Sequence, residues 1–260
     1  MPGARLSEHL QDLVLENASV DEFLQELSGA IAEFGAAAAG CPMNSSVRLI
    51  RNRQPAVLAG SDPAALALEQ FQDQAGGPAL RALATGRSVL LGSGPAGGAA
   101  MGATVAGDTA ISDLEPRLDR YRRTAARWGI RSALSVPVAL DEGAEAALTY
   151  LAAEPGAFDA GVAASCEAFA ATAGKSMRLA VRLGSVQDLN QDLLQAMKSR
   201  TIINLASGIL MAQSRCSQAE AFALLSKVSN NRNVKLRLVA EEILRKFESG
   251  PYTTDFGTRA

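Results

Sequence analysis

Apolar residues at Val20, Phe23, Leu24, Leu27 and Ile31 return at the spacing of one helical face. The period then changes. Residues 46–50 alternate and 56–59 follow Pro55 as a short apolar run, which predicts a pair of strands. A helical stretch over 63–75 leads into Gly76-Gly77-Pro78 and a short helix ending near Gly86, and 88–91 reads as a further strand. Residues 116–128 read as a basic helix, and 132–140 and 146–152 as adjacent strands around a turn at 141–143. From about residue 159 the strand signals stop. Cys166, Phe169, Ala173, Met177, Ala180, Leu183, Val186, Leu189, Leu193 and Met197 recur every three or four residues. This predicts one long helix, or two meeting near Gly184, with a coiled-coil-like seam for a second chain.

The last part of the chain predicts three helices, the first running to about Gln213. Ser217 and Glu220 have the spacing of a capping box. The helix they open carries Ala221, Phe222, Leu225 and Val228 inward. Asn233 is expected to cap the third helix, whose buried stripe is Leu236, Val239, Ala240, Ile243, Leu244 and Phe247. Beyond Gly250-Pro251 the polar tail is expected to be disordered.

At 260 residues and 48% hydrophobic content, the expectation is two domains with packed cores. No apolar run reaches the ~18 residues a membrane span needs. The first twenty residues lack the apolar core of a signal peptide, so a cytosolic location is expected. Cys41, Cys166 and Cys216 are an odd, scattered set without a CxxC pair, which reads as reduced thiols rather than a metal or disulfide site. His9 is the sole histidine, so Ser-His-Asp or Cys-His catalysis would need it as the base. No cofactor or metal is expected.

Charge separates the chain where hydropathy does not. Residues 188–248 hold nine Lys/Arg against six Asp/Glu, a net +3, and the remainder holds 16 against 21, a net −5. A basic C-terminal part on an acidic body points toward a polyanionic partner. Two phosphate-loop look-alikes fall away. Gly92-Ser-Gly-Pro-Ala-Gly97 matches GxGxxG, but Pro95 sits where a helix would have to begin, and the glycine-rich 92–107 stretch reads as a flexible loop. Ala173-Gly-Lys-Ser176 lacks the first glycine, with Phe169 in its place.

On a helix over 194–215, Ile202, Ile203, Leu205, Ala206, Ile209 and Leu210 fall on one side. Arg200, Asn204, Ser207, Gly208, Met211 and Arg215 fall on the other. That second side is small and polar between two arginines, and a helix-interior glycine costs about 1 kcal/mol against alanine. Either the small residues admit a partner backbone while arginine forks reach phosphate or base edges, or Gly208 permits tight packing of helices within the bundle.

The run AMKSRTIINLASGILM over 196–211, followed by Glu220-Ala-Phe222, Leu225, Ser229 and Lys235-Leu-Arg-Leu-Val-Ala240, closely resembles the ANTAR domain. The shared features are the Ser-Arg pair, an alanine and a glycine two apart, Leu-Met, the later Ala-Phe pair and the K-L-R-x-V-A segment. Ser207 departs from the lysine common there. The body resembles a GAF domain through Gly77-Pro78, Ala82, Gly86, the stretch from Trp128 to Pro137, and Pro155-Gly-Ala-Phe158-Asp.

Together the resemblances imply an α+β fold: a GAF-like antiparallel sheet with flanking helices, a long helical linker and a C-terminal three-helix ANTAR-like bundle. The divisions expected are an N-terminal segment over 1–19, the GAF-like domain over 20–158, the linker over 159–190, the ANTAR-like domain over 191–248 and a tail over 249–260. The implied function is binding rather than catalysis. A cytosolic homodimer, joined through the GAF-like domain and linker, holds tandem stem-loops of a nascent leader RNA and prevents a terminator from forming. Arg200, Asn204, Ser207, Gly208, Arg215, Arg232, Asn233, Lys235 and Arg237 are the candidate RNA-binding residues. Phe71, Trp128 and Tyr150 are candidates, by residue type alone, for lining a small-molecule pocket of unknown ligand beneath a lid at 92–110. Two rivals remain at this point: a DNA-binding regulator, and a thiol-based GAF reductase using Cys41 or Cys166.

Overall fold

The computed structural model describes residues 3–17, 19–52, 54–92, 115–141 and 143–246. The glycine-rich 93–107 stretch, most of the lid, Phe247 and the tail lie outside the described residues. The chain divides into two units, Met1–Gly184 and Ser185–Ala260. The class is α+β.

The first unit opens with α1 (Gly3–Glu16) and α2 (Val20–Ala39), followed by β1 (Met43–Ile50), β2 (Val57–Gly60), α3 (Pro63–Ala75), α4 (Pro78–Thr85) and β3 (Val89–Gly92). After α5 (Glu115–Arg127), β4 (Ser132–Ala139) and β5 (Glu145–Ala152), the helix α6 (Ala160–Ser214) begins. The strands form one antiparallel sheet in the order β2-β1-β5-β4-β3, an arrangement compatible with a GAF-like domain. Val47 lies opposite Leu148 and Leu134 opposite Tyr150.

Both faces of this sheet are covered, which is why β4 and β5 read as almost continuous apolar runs. On one face Val47, Leu49, Val136, Leu148 and Tyr150 pack with Leu10 and Leu13 of α1, Phe23, Leu27 and Ile31 of α2, and Phe169 and Met177 of α6. A Cβ at Gly35 would come 2.7 Å from Tyr150 Cδ1, so α2 needs glycine at that crossing. The stretch before residue 19 therefore contributes core leucines. On the other face Val89, Leu91, Ala133 and Leu151 pack with Leu68 of α3, Ala82 of α4, and Leu118 and Tyr121 of α5.

The second face also holds a buried charge. Arg48, 2% exposed, donates from Nε to Glu69 Oε1 at 2.7 Å, from Nη1 to Asp73 Oδ1 at 2.6 Å and from Nη2 to the Glu69 carbonyl at 2.8 Å. Ser46 Oγ and Gln72 Nε2 donate to the other Glu69 oxygen at 2.6 and 2.8 Å. Gln72 Oε1 accepts the Ala79 amide at 2.9 Å, which ties in the first turn of α4. Burial, with the Glu69 charge adding to it, holds the Tyr121 phenol well above its ordinary range.

The helix α6 is a single element. Gly184 does not break it, and a Cβ there would lie 2.5 Å from Val20 Cγ2, so the glycine serves close approach. Among the described residues no helix is long and apolar enough to cross a membrane.

The Glu69 network generates a stability prediction. Glu69→Ala leaves the Arg48 guanidinium buried without its main partner and should cost about 3–5 kcal/mol. Asp73, more than half exposed, should cost less than about 1 kcal/mol as alanine. Urea unfolding of both variants measures the difference, and equal losses would show that burial of the pair is not what matters.

Candidate nucleic-acid interface

The second unit contains the end of α6, then α7 (Gln218–Arg232) and α8 (Leu236–Arg245). Its core is small: Ala206, Leu225, Val239, Ala240 and Leu244, with Ile202, Ile203, Ile209, Leu210, Val234, Leu236 and Ile243 packed around them. The Ser217–Glu220 capping box is present, Ser217 Oγ accepting from the Glu220 amide at 3.3 Å and Glu220 Oε2 from the Ser217 amide at 2.8 Å.

The packed arc of α6 is rotated from the one its apolar pattern suggests. Leu205, expected inside, is 42% exposed, and Ser207, expected on the open face, is 2% exposed. These two residues lie roughly 160° apart on the helix, at opposite edges of a wide apolar stripe. Ser207 can be buried because its hydroxyl donates to the Ile203 carbonyl at 2.8 Å. Phe222 and Val228, also expected inside, are 48% and 40% exposed, because a bundle closed by a ten-residue α8 covers only the Ala221–Leu225 side of α7.

An exposed row on α6 runs through Arg200, Asn204, Gly208 and Met211, spaced by three or four residues, and exposed Arg215 follows directly after the helix. Apart from its own helix backbone, no atom of the described residues lies within 4 Å of a Cβ placed on Gly208, so packing among the described residues of the bundle does not account for that glycine. Arg200 and Arg215 make no ion pair among the described residues. Arg215 also adopts φ 48°, a left-handed backbone at the end of α6 that glycine or asparagine would take more easily.

The other candidates divide. Asn233 is not the N-cap of α8. It is the left-handed C-cap of α7, φ 49° and ψ 44°, a conformation asparagine tolerates, and Lys235 begins α8 without a side-chain cap. Arg232 forks onto Glu242 at 2.7 and 3.1 Å, and Arg237 meets Glu241 at 3.4 Å. The hydrogen bonds from Arg232 hold the Glu242 carboxyl below the usual carboxylate range, and those from Ser217 do the same for Glu220. Lys235 is exposed and makes no ion pair among the described residues.

Phe71, Trp128 and Tyr150 are not brought together. Tyr150 is buried on the first face of the sheet, edge-on to Phe158 at 6.5 Å, with its hydroxyl donating to the Cys166 carbonyl at 3.4 Å. Phe71 packs on the second face beneath the Arg120 guanidinium, 5.6 Å from its ring centre, and Trp128 is 43% exposed. A cavity between α5 and β4, lined by Leu91, Tyr121, Ala125, Ile130 and Ala133, offers about 40 Å³, room for a water rather than a metabolite. All three cysteines are free, and burial pushes the Cys166 thiol up to about 11, away from a reactive thiolate.

Two stability predictions follow the geometry. Gly208→Leu and Arg215→Gly should each unfold at or above the wild-type temperature, by up to about 1 kcal/mol, whereas Ser207→Leu should lose about 1–3 kcal/mol by overpacking. Because Glu220 and Glu242 are depressed in the folded state, their contributions are present at neutral pH and are lost as pH falls through the folded values. Acid melting of the Glu220→Gln, Glu242→Gln variant should therefore be flatter than that of the wild type.

Comparison with known proteins adds one assignment. No curated protein matches the chain. Among solved structures, the crystal structure of the N-acylhomoserine lactone dependent LuxR family transcription factor CepR2 from Burkholderia cenocepacia is similar, with a TM-score of 0.41 and 17% identity over 70% of this chain and 98% of that chain. A likeness that weak bears on neither fold nor ligand. The family model of the ANTAR domain matches residues 191–244, the stretch that carries the Arg200–Arg215 row and the bundle core. Residues 191–244 are thus an ANTAR domain, a module associated with RNA-binding antitermination regulators.

Proposed function

We propose that this protein is a cytosolic regulator that holds paired stem-loops of a nascent leader RNA through the open row of α6, and so prevents a terminator from forming. The observation that carries the proposal is the vacant space over Gly208, flanked by Asn204 and two unpaired arginines within an ANTAR domain. An RNA loop presents unstacked bases and a phosphate backbone. Arginine forks and an asparagine amide suit those groups, and a residue without a side chain lets the backbone approach. The N-terminal unit serves as a GAF-like domain for sensing or dimerisation. Two copies of the chain present two such rows, and tethering raises the effective concentration of the second contact. Ser207, turned inward, supports the helix rather than touching RNA, and Asn233 shapes the α7–α8 turn.

Gel shifts with a two-hairpin leader RNA and a duplex DNA of equal length test the reading. Hairpin binding should exceed duplex binding at ~200 mM salt, where non-specific phosphate contacts weaken. Arg200→Ala should weaken hairpin binding by about 1–3 kcal/mol, the range for a specific arginine contact. Gly208→Leu should abolish it while the protein stays folded. Arg87→Ala, exposed on the N-terminal unit, should bind as wild type. Equal or tighter duplex binding would replace the RNA reading with the DNA-binding one.

A further inference from the structure

The basic helix α5 has no part in the function proposed so far. Residues 115–131 hold six arginines and no lysine against Glu115 and Asp119, a net +4. The rest of the chain outside 188–248 holds ten basic and nineteen acidic residues, a net −9, so α5 is a positive island in an acidic remainder. Leu118, Tyr121 and Ala125 turn into the core on the second face of the sheet. Arg117, Arg120, Arg123 and Arg127, spaced three, three and four residues apart, fall on the side away from them, and all four are exposed. None of the four makes an ion pair among the described residues, and Asp119 is held by Arg122 at 2.9 Å. Like charges three or four residues apart weaken a helix. The Phe71 ring beneath Arg120, at 5.6 Å, accounts for one arginine and not for a row. Trp128, the sole tryptophan, follows the row directly and is 43% exposed.

We infer that α5 and Trp128 form a second RNA contact, which grips a single-stranded segment of the transcript without reading its sequence. The row is about 15 Å long at the rise of an α-helix. Each guanidinium fork can take two oxygens of one phosphate, which is the use arginine serves better than lysine. Every base has a face that stacks on an indole, so Trp128 adds affinity without a preference for sequence. An acidic polypeptide would satisfy the charge and leave the exposed indole unused. The inference rests on the RNA-binding reading of α6 and adds a contact on a separate unit of the same chain. Once the hairpins are held, a strand beside them meets α5 at a raised effective concentration.

The experiment uses the full chain. Fluorescence anisotropy follows its binding to the two-hairpin RNA, alone and with about ten uridines added at each end, over a range of salt. The variants are the triple Arg117→Gln, Arg123→Gln, Arg127→Gln and the single Trp128→Ala, with thermal melting as a check on folding. The wild type should bind the extended RNA about tenfold or more tightly than the hairpins alone. The triple variant should melt at or above the wild type, bind the bare hairpins as the wild type does and lose the gain from the extension. Its log–log salt slope on the extended RNA should be shallower by about 2, the value for three phosphates of a single strand. Trp128→Ala should keep the slope and lose about fivefold or more of the gain. No gain in the wild type, or a gain that survives in the triple variant, would overturn the inference and leave the α6 reading standing. Hairpin binding unmoved by Arg200→Ala, with the gain still lost in the triple variant, would overturn the α6 reading and support the α5 contact. A full gain in Trp128→Ala would overturn the stacking. Polyglutamate that displaces the extended RNA as well as polyuridylate of equal length would make the occupant an acidic polypeptide and overturn the RNA contact.

Discussion

Burying the Arg48 guanidinium is the constraint around which the N-terminal unit is arranged. A charge 2% exposed persists only where oxygens surround it. Glu69, its own carbonyl and Asp73 supply them, all from one side of α3. Fixing Glu69 draws in Ser46 and Gln72, and Gln72 in turn takes the Ala79 amide in the first turn of α4. Gly77 is required beside it, because a Cβ there would collide with the Gln72 side chain. One charged residue on β1 thereby seats two helices. On this face Arg48, Ser46, Glu69, Asp73 and Gln72 are directed at one another.

The C-terminal unit works under the opposite limitation, a shortage of core. Ala206, Ala221 and Ala240 are completely buried, so the helices meet on small residues. Larger side chains such as Phe222, Leu224 and Leu238 stay on the surface. In so slight a bundle, two local conformations run against stability: a glycine in the interior of α6 with nothing near it, and an arginine in left-handed backbone. Packing explains neither. Departures from local preference that packing leaves unexplained concentrate where a molecule meets its partner, and here both lie in the same exposed row.

What the sequence made legible follows from contrast between neighbouring positions. Strands β4 and β5 were readable because both their faces are buried, and the Ser217–Glu220 box because its two residue types act on each other directly. The end of α2 was harder, since Ala36–Ala39 carries no polar–apolar contrast to mark a face. The helical character of residues 3–16 rests on little more than Leu10, Leu13 and Val14. Leu205 and Ser207 exchanged places because the apolar stripe of α6 is wider than the arc the bundle can cover, and only the partner helices decide which edge is left out. The three aromatics were grouped by chemistry, but alternation along β5 sends Tyr150 and Leu151 to opposite faces. Residue type carries no information about face.

Net charge is a similarly blunt guide to the proposed RNA surface. The +3 of residues 188–248 counts Arg232 and Arg237 equally with Arg200 and Arg215, although the first two already hold Glu242 and Glu241. Exposed pairs of this kind are worth only about 0–1 kcal/mol. A phosphate could therefore recruit Arg232 or Arg237 at small cost, while Arg200 and Arg215 need no carboxylate displaced. The positive character of the bundle is thus graded by helix phase and pairing. Arg200, Arg215 and Lys235 are the candidates that make no ion pair among the described residues, and only the first two flank the position without a side chain on α6.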